Sequence, residues 1–343
     1  MADTHGSGPC TERCKGSNPF SGIYYQINQL FMEKYKKEFV KKERSHHSVR
    51  VIPLGGAEEI GRNMTVIEYG NDIVVVDAGL QFPEDETPGI DYIIPNTAYL
   101  EKNKHRIRGL IISHGHLDHV GSIPYLMDRL GFPTIYTTKL TKSMILKRQE
   151  EFPYIPRLNI EEVNSQKTLR LGSLKVRFFD ITHTVPDAIG TIIETPHGNV
   201  IYPGDFRIEL NVKGEPAHIE QYVKLGKENN LLLLMESTNA ETPGFSIPEK
   251  VVHGNLEKIS AEARGRVIIG MFSSMLERAI ELIKIAEKQG KKVVIDGFSL
   301  KANFEMAKEL GFFKPKKDTI IPIERINDYP PSKIIAIVTG SQG

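Results

Sequence analysis

From Arg50 onward the chain is built of short, apolar, β-rich runs separated by turn residues: Val51–Leu54, Met64–Tyr69, Ile73–Val76, Leu110–Ile112, Val176–Ile181, Thr191–Glu194 and Val200–Tyr202. Several of these predicted strands stop at residues capable of chemistry, namely Asp77, His114, His183 and Asp205. A rigid sheet can aim polar groups at its strand ends into a shared cleft. Helical patterns intervene around Ile123–Leu130 and Leu140–Glu151. After about residue 240 the rhythm becomes a clean α/β alternation. Predicted helices at Pro248–Ala263, Met275–Gln289 and Ala302–Leu310 interleave with predicted strands at Val267–Met271, Val293–Asp296 and Ile334–Val338. That spacing predicts a small parallel sheet, a second unit distinct from the first. The pattern divides the chain into residues 1–48, 49–244 and 245–343, with no internal repeat.

The first 22 residues are rich in Gly, Ser, Thr and Pro and read as a disordered leader. Residues 23–48 fit a short helix through Ile27, Leu30, Phe31 and Tyr35 that runs into Lys34, Lys36, Lys37, Lys41, Lys42 and Arg44. Such a run is either a solvated helix face or an arm that touches phosphates. At 343 residues, 40% of them hydrophobic and 25% charged, the chain is an ordinary globular mixture long enough for two domains. A formal charge of +1 means that any nucleic-acid surface is a local patch. No run of about 18 apolar residues exists to span a membrane, and the N-terminus lacks the pattern of a secretory signal. Cys10 and Cys14 are the only cysteines, both in the leader, which points to a reducing, cytoplasmic home. Their C-x-x-x-C spacing is compatible with a metal clip, although no further ligand type clusters beside it.

The strongest chemical signal is His114-Gly115-His116-Leu117-Asp118-His119, directly after the apolar run Leu110–Ile112 and Ser113. In an extended or turning segment His114 and His116 point the same way and can share one metal. Asp118 and His119, around the bend, can face a second. Imidazole and carboxylate donors suit Zn²⁺, and an open coordination position leaves room for water. His183, ending the run Val176–Ile181, and Asp205, placed after Gly204 where the backbone can turn, fit as the remaining ligands. Asp205 is able to bridge both ions. Asp77, at the end of Ile73–Val76, is placed to accept from a ligand imidazole and orient it from behind.

The order Asp, H-x-H-x-D-H, His, Asp resembles that of the metallo-β-lactamase superfamily, which implies an αββα sandwich and two metal ions that lower the pKa of a water and stabilise an in-line displacement. That fold hosts lactamases, thioesterases, lactonases and nucleases, so the fold alone does not select among them. Leu231–Met235 reads as a buried-type strand ending at Glu236-Ser237-Thr238-Asn239, and this resembles the first added motif of the β-CASP nucleases. Within that branch, residues 53–64, 76–83, 204–207, 235–239 and 338–343 are similar to the ribonuclease J family. The resemblance implies a metal-dependent ribonuclease with 5′ to 3′ exonuclease and endonuclease activity in cytoplasmic RNA processing and decay. It also implies two Zn²⁺ ions, with Mn²⁺ or Mg²⁺ as alternatives, RNA as partner, and a homodimer or homotetramer at full length, with no membrane.

Carried onto this chain, the metal ligands are His114, His116, Asp118, His119, His183 and Asp205, and the catalytic carboxylates are Asp77, Asp118, Asp205 and Glu236. The β-CASP segment closes over the site, where Phe272, Ser273, Ser274 and Arg278 are candidates for contact with RNA. For Ser273, Ser274 and Arg278 a helix N-cap and a surface arginine account for the residues equally well. Lys139, Lys142, Lys147 and Arg148 are either a channel wall or a solvated helix face. The family carries two further histidine motifs beyond the cap and returns to complete the first sheet, whereas this sequence stops after Thr339-Gly340-Ser341-Gln342-Gly343. His197, His218 and His253 match neither motif. The expectation is therefore an α/β chain, a metallo-β-lactamase sandwich followed by a partial β-CASP domain, with a weak second metal site of Asp118, His119 and Asp205. Two rival readings are a small-ester or thioester hydrolase of the same fold and a catalytically impaired RNA-binding fragment.

Overall fold

The structure, a computed structural model, describes residues 48–339 apart from 84–87, 211–215, 217–218 and 245. The expectations for the leader, its cysteines and basic segment, for His218 and for the last four residues lie outside the described residues.

The first sheet joins β1 (Val49–Gly55), β2 (Met64–Tyr69), β3 (Asp72–Val76), β4 (Ile107–Ile111), β5 (Ile135–Thr137) and β6 (Ile160–Glu162) in that order. Pairing is antiparallel from β1 to β3 and parallel from β3 to β6. The connections carry α1 (Ala98–Lys102), α2 (Leu117–Val120), α3 (Ile123–Leu130) and α4 (Lys139–Gln149). Strand periodicity decides the layers. Ile73 and Val75 of β3 face a core with Leu100, Ile123, Leu126 and Leu130, whereas Val74 and Val76 face a second sheet.

That second sheet has the order β11-β10-β9-β8-β7, built from β7 (Thr168–Leu171), β8 (Leu174–Asp180), β9 (Ile189–Thr195), β10 (Gly198–Tyr202) and β11 (Asn230–Leu233). Val176, Phe178, Ile189, Ile193 and Val200 meet the first sheet, while Tyr222 and Leu225 of α5 (Ile219–Gly226) cover Phe179, Ile192 and Ile201 on the outer face. The result is the expected αββα sandwich. One strand departs from expectation. The run Leu231–Met235 reads as buried, yet Leu231, Leu233 and Met235 are 47%, 52% and 54% exposed. β11 is the sheet edge and pairs only with β10. An apolar run reports a tendency to bury and not which layer supplies the cover.

A third, parallel sheet has the order β12-β14-β13, from β12 (Val267–Gly270), β13 (Lys292–Asp296) and β14 (Ile334–Val338). It packs with α6 (Glu249–Glu262), α7 (Leu276–Lys288) and α8 (Phe298–Glu309). α8 begins four residues before the predicted Ala302, because Gly297 turns the chain at φ +114° directly after β13. The core of this unit, with Leu276, Leu282, Val293, Phe304 and Ile335, also takes in Leu140 of α4 and Val185. The third sheet is thus anchored on the elements that flank His183. Among the described residues no helix is long and apolar enough to cross a membrane.

Candidate metal centre

β3 ends at Asp77, whose φ of +62° lies in the left-handed region that Asp tolerates better than most residues. Its carboxylate is completely buried and fully engaged. One oxygen accepts from the Ser113 backbone N–H at 2.8 Å. The other accepts from Ser113 Oγ at 3.0 Å, Tyr202 OH at 2.8 Å and His119 Nδ1 at 2.8 Å. An ionised carboxylate only accepts, so His119 must carry a proton on Nδ1. That leaves its Nε2 directed at Asp118 Oδ2 and Asp205 Oδ1, each 3.3 Å away. The hydrogen bond from behind therefore leaves Nε2 as the nitrogen that would ligate a metal once its proton is displaced.

On the other side of the site three imidazoles converge. His114 Nε2 lies 2.9 Å from His116 Nδ1, and His183 Nε2 lies 3.1 Å from the same atom. Burial, reinforced by the charge of His119 and by the neighbouring rings, holds His114 well below the usual histidine range. Burial likewise lowers His116, and with His116 beside it brings His183 down to about 4. At neutral pH these rings are uncharged, and an uncharged imidazole has a lone pair that it can offer to a cation. The second group is of opposite character. Burial works against charge on His119, yet Asp77, Asp118 and Asp205 together raise it well above its ordinary value. Burial also opposes ionisation of Asp205, but the hydrogen bond and charge of His119 prevail and bring it to about 2. Asp118 is lowered in the same way.

Donor atoms of His114, His116, His183 and Asp205 lie within 4.8 Å of one another, as do those of Asp118, His119 and Asp205. The four-donor set and the three-donor set share Asp205, and the donor types suit a divalent metal. The backbone is shaped to permit this. Gly204, at φ +68°, turns the chain so that Asp205 faces the cluster. A Cβ on Gly79 would lie 1.6 Å from the Asp118 carbonyl oxygen, so only glycine allows β3 and α2 to approach this closely.

The structure adds residues that the sequence reading did not single out. Ser113 Oγ reaches both Asp77 and His114 Nδ1, the latter at 3.0 Å. Asn63 Nδ2 donates to the Asp118 carbonyl at 3.1 Å and lies 3.3 Å from Asp118 Oδ2. Tyr202 caps Asp77. The available signals were positional: Ser113 precedes the hexapeptide, Tyr202 ends a strand, and Asn63 sits in a glycine-rich turn.

The remaining expected residues fall in different places. Phe272, Ser273 and Ser274 line a cleft of about 740 Å³ together with Gly115, His116 and Asp118. α7 has no side-chain cap, so neither serine serves as its N-cap. Lys147 and Arg148 line the same cleft but pair with Glu150 at 2.6 Å and Glu151 at 3.8 Å, which line it too, and Lys142 pairs with Glu162 at 3.0 Å. Arg278 is bound to Glu249 at 2.5 Å and is absent from the cleft lining. Glu236 is exposed, accepts from the Thr238 backbone at 2.8 Å, and belongs to neither donor set. His253 pairs with Glu249 at 3.2 Å and His197 meets Tyr69 edge-on at 5.9 Å, so neither supplements the three-donor set.

Known proteins resemble this chain. Residues 57–223 match the metallo-beta-lactamase superfamily, and residues 264–343 match the domain described as "Ribonuclease J, beta-CASP domain". The chain is 36% identical over 306 residues to Ribonuclease J of Mycoplasma pneumoniae, covering 89% of this chain and 53% of that protein. It is 34% identical over 302 residues to Ribonuclease J 2 of Staphylococcus aureus strain MRSA252, covering 88% of this chain and 54% of the relative. The chain thus spans about half the length of the curated relatives it matches. A crystal structure of a protein of unknown function from Enterococcus faecalis V583 superposes with a TM-score of 0.63 at 18% identity, covering 85% of this chain and 77% of that one, a likeness of fold alone. The chain thus carries a metallo-β-lactamase domain followed by a β-CASP domain of the ribonuclease J type.

Proposed function

We propose that this chain forms the metal centre and cleft of a ribonuclease that hydrolyses RNA phosphodiester bonds, acting 5′ to 3′ and internally in cytoplasmic RNA processing and decay. The observation that carries the reading is the pair of donor sets sharing Asp205 on a cleft lined by serine hydroxyls, exposed rings and two cation–carboxylate pairs, Lys147 with Glu150 and Arg148 with Glu151. The site residues in this proposal are His114, His116, His183 and Asp205 for one ion and Asp118, His119 and Asp205 for the other. Zinc is the ion that the imidazole-rich set favours, with Mn²⁺ or Mg²⁺ as alternatives. When bound, such a pair supplies Lewis acidity toward water and toward the phosphoryl oxygens.

The protein's own groups do the remainder. Asp77 holds His119 in one tautomer, and Asn63 holds Asp118 in place. Asp118, ionised at neutral pH, would meet the second ion as a charged ligand at the cleft wall. Ser273 and Ser274 present hydroxyl donors to phosphate oxygens, and Lys147 and Arg148 would exchange their partners Glu150 and Glu151 for the phosphates. The exposed faces of Phe82, Phe272 and Phe298 line the same cleft and suit unpaired bases. The test is cleavage of 5′-monophosphorylated single-stranded RNA with each metal supplied or chelated, beside an Asp205→Ala variant. The expected result is cleavage that leaves 5′-phosphates, is abolished by chelation, and is absent in the variant together with loss of bound metal. A metal-loaded protein that leaves RNA intact while hydrolysing a thioester would sink the nuclease reading.

A further inference from the structure

Outside the cleft, four aromatic rings form a ladder that belongs to none of the buried cores. Tyr92 stacks on Tyr125 with centroids 4.3 Å apart and planes 25° from parallel. Tyr125 meets Phe152 edge-on at 5.3 Å, and Phe152 meets Tyr154 at 6.1 Å. The two ends are open to solvent, with Tyr154 76% and Tyr92 38% exposed. Arg148 joins the ladder to the metal centre: its guanidinium lies 5.6 Å over the Phe152 ring, and the same residue lines the cleft with His116 and Asp118.

We propose that this ladder is an outer nucleotide-binding track, on which unpaired bases of the RNA stack after the strand leaves the cleft at Arg148. The proposal rests on the RNA reading above and adds a site to it. Rings held by one another are already ordered, so a base stacking on them immobilises little further protein. A base needs only an accessible ring, and the rings at both ends of the ladder are exposed; a phosphate beside it needs a cation, which Arg148 provides through a guanidinium paired with Glu151 at no closer than 3.8 Å. A protein partner needs a pocket for an anchoring side chain. The hollow beside the ladder, between Arg148 and Ile155, holds about 10 Å³, room for no more than a water.

The experiment measures binding of fluorescein-labelled oligouridylates of about 4 and about 12 nucleotides, a range spanning one stacking site and an extended one. Anisotropy is read in chelator so that no cleavage intervenes. Replacing Tyr92 and Tyr154 together by Ala is expected to weaken the longer RNA by about tenfold for each ring removed and to leave the shorter one unchanged. Tyr92→Phe with Tyr154→Phe keeps the ring faces, and wild-type affinity is expected. Unchanged affinity of the double Ala variant for the longer RNA overturns the track while leaving the RNA reading intact. So does an equal loss for both lengths. A wild-type protein that binds neither oligonucleotide overturns the RNA reading and the track with it.

Discussion

Asp187 lies on the loop that carries His183 and holds its carboxylate against the start of α4, accepting from the Leu140 N–H and from Thr138 Oγ1, both at 2.9 Å. Thr138 gives α4 no side-chain cap of its own, so Asp187 caps the helix from a distant part of the chain. Burial raises its carboxyl from 3.8 to about 6, against the pull of those two hydrogen bonds. Between those pH values the folded protein retains a proton that the unfolded chain has released. Stability therefore falls as pH rises through this window and levels off above about 6. A shift of this size corresponds to about 2 to 3 kcal/mol at roughly 1.4 kcal/mol per unit.

Asp187→Asn keeps the shape, tolerates the φ of +61°, and stays neutral at every pH. Its amide oxygen can still accept from Leu140, while the contact with Thr138 is remade at a cost of about 1 kcal/mol. Below pH 4 the variant is expected to equal the wild type or fall about 1 kcal/mol short of it. Above pH 6 it is expected to be the more stable by about 1 to 3 kcal/mol. Urea midpoints in chelator, followed by circular dichroism across this pH range, give the difference directly, and other titrating groups cancel in it. A difference that stays flat with pH would refute the reasoning, because the helix N-terminus would then stabilise the carboxylate as much as burial destabilises it.

Other perturbations probe the site more directly. Asp77→Asn is expected to lower metal affinity by about 10- to 100-fold with the fold retained, because His119 loses the partner that fixes its tautomer; chelator competition measures it, and unchanged affinity contradicts the assigned orientation. Gly79→Ala forces a Cβ to 1.6 Å from the Asp118 carbonyl, and a loss of about 3 kcal/mol or more is expected in urea unfolding, with Asp118 displaced. Phe298→Ala removes a ring that is 82% exposed in the cleft, so RNA affinity is expected to fall about tenfold with no change in thermal midpoint. A lower midpoint without weaker binding would make that ring structural.

The hexapeptide was legible because its donors are neighbours in sequence, and spacing alone brings them together. Asp77, His183 and Asp205 were legible because each terminates an apolar strand. The supporting groups were not, since their roles arise from meetings across the sandwich: Asn63 is 55 positions from Asp118, and Tyr202 is 125 from Asp77. The same limit applies to charge. Arg278 has the chemistry of a phosphate contact, but its partner, Glu249, lies 29 positions away on another helix. Strands as short as β5 and β6 carry too few residues to reveal a period.

Leu140 and Val185 place part of α4 and of the His183 loop inside the core of the third sheet. Both walls of the cleft are therefore gripped by one close-packed interior, and such interiors resist compression and shear. An enzyme whose walls were joined by a bare linker could open like jaws and accept strands of any calibre. Here the walls are tied through packed side chains, so in the RNA reading proposed above the cleft would act as a gauge that admits or refuses a strand by its width. Trimming Leu140 or Val185 would loosen that gauge without touching a single ligand of the metal centre.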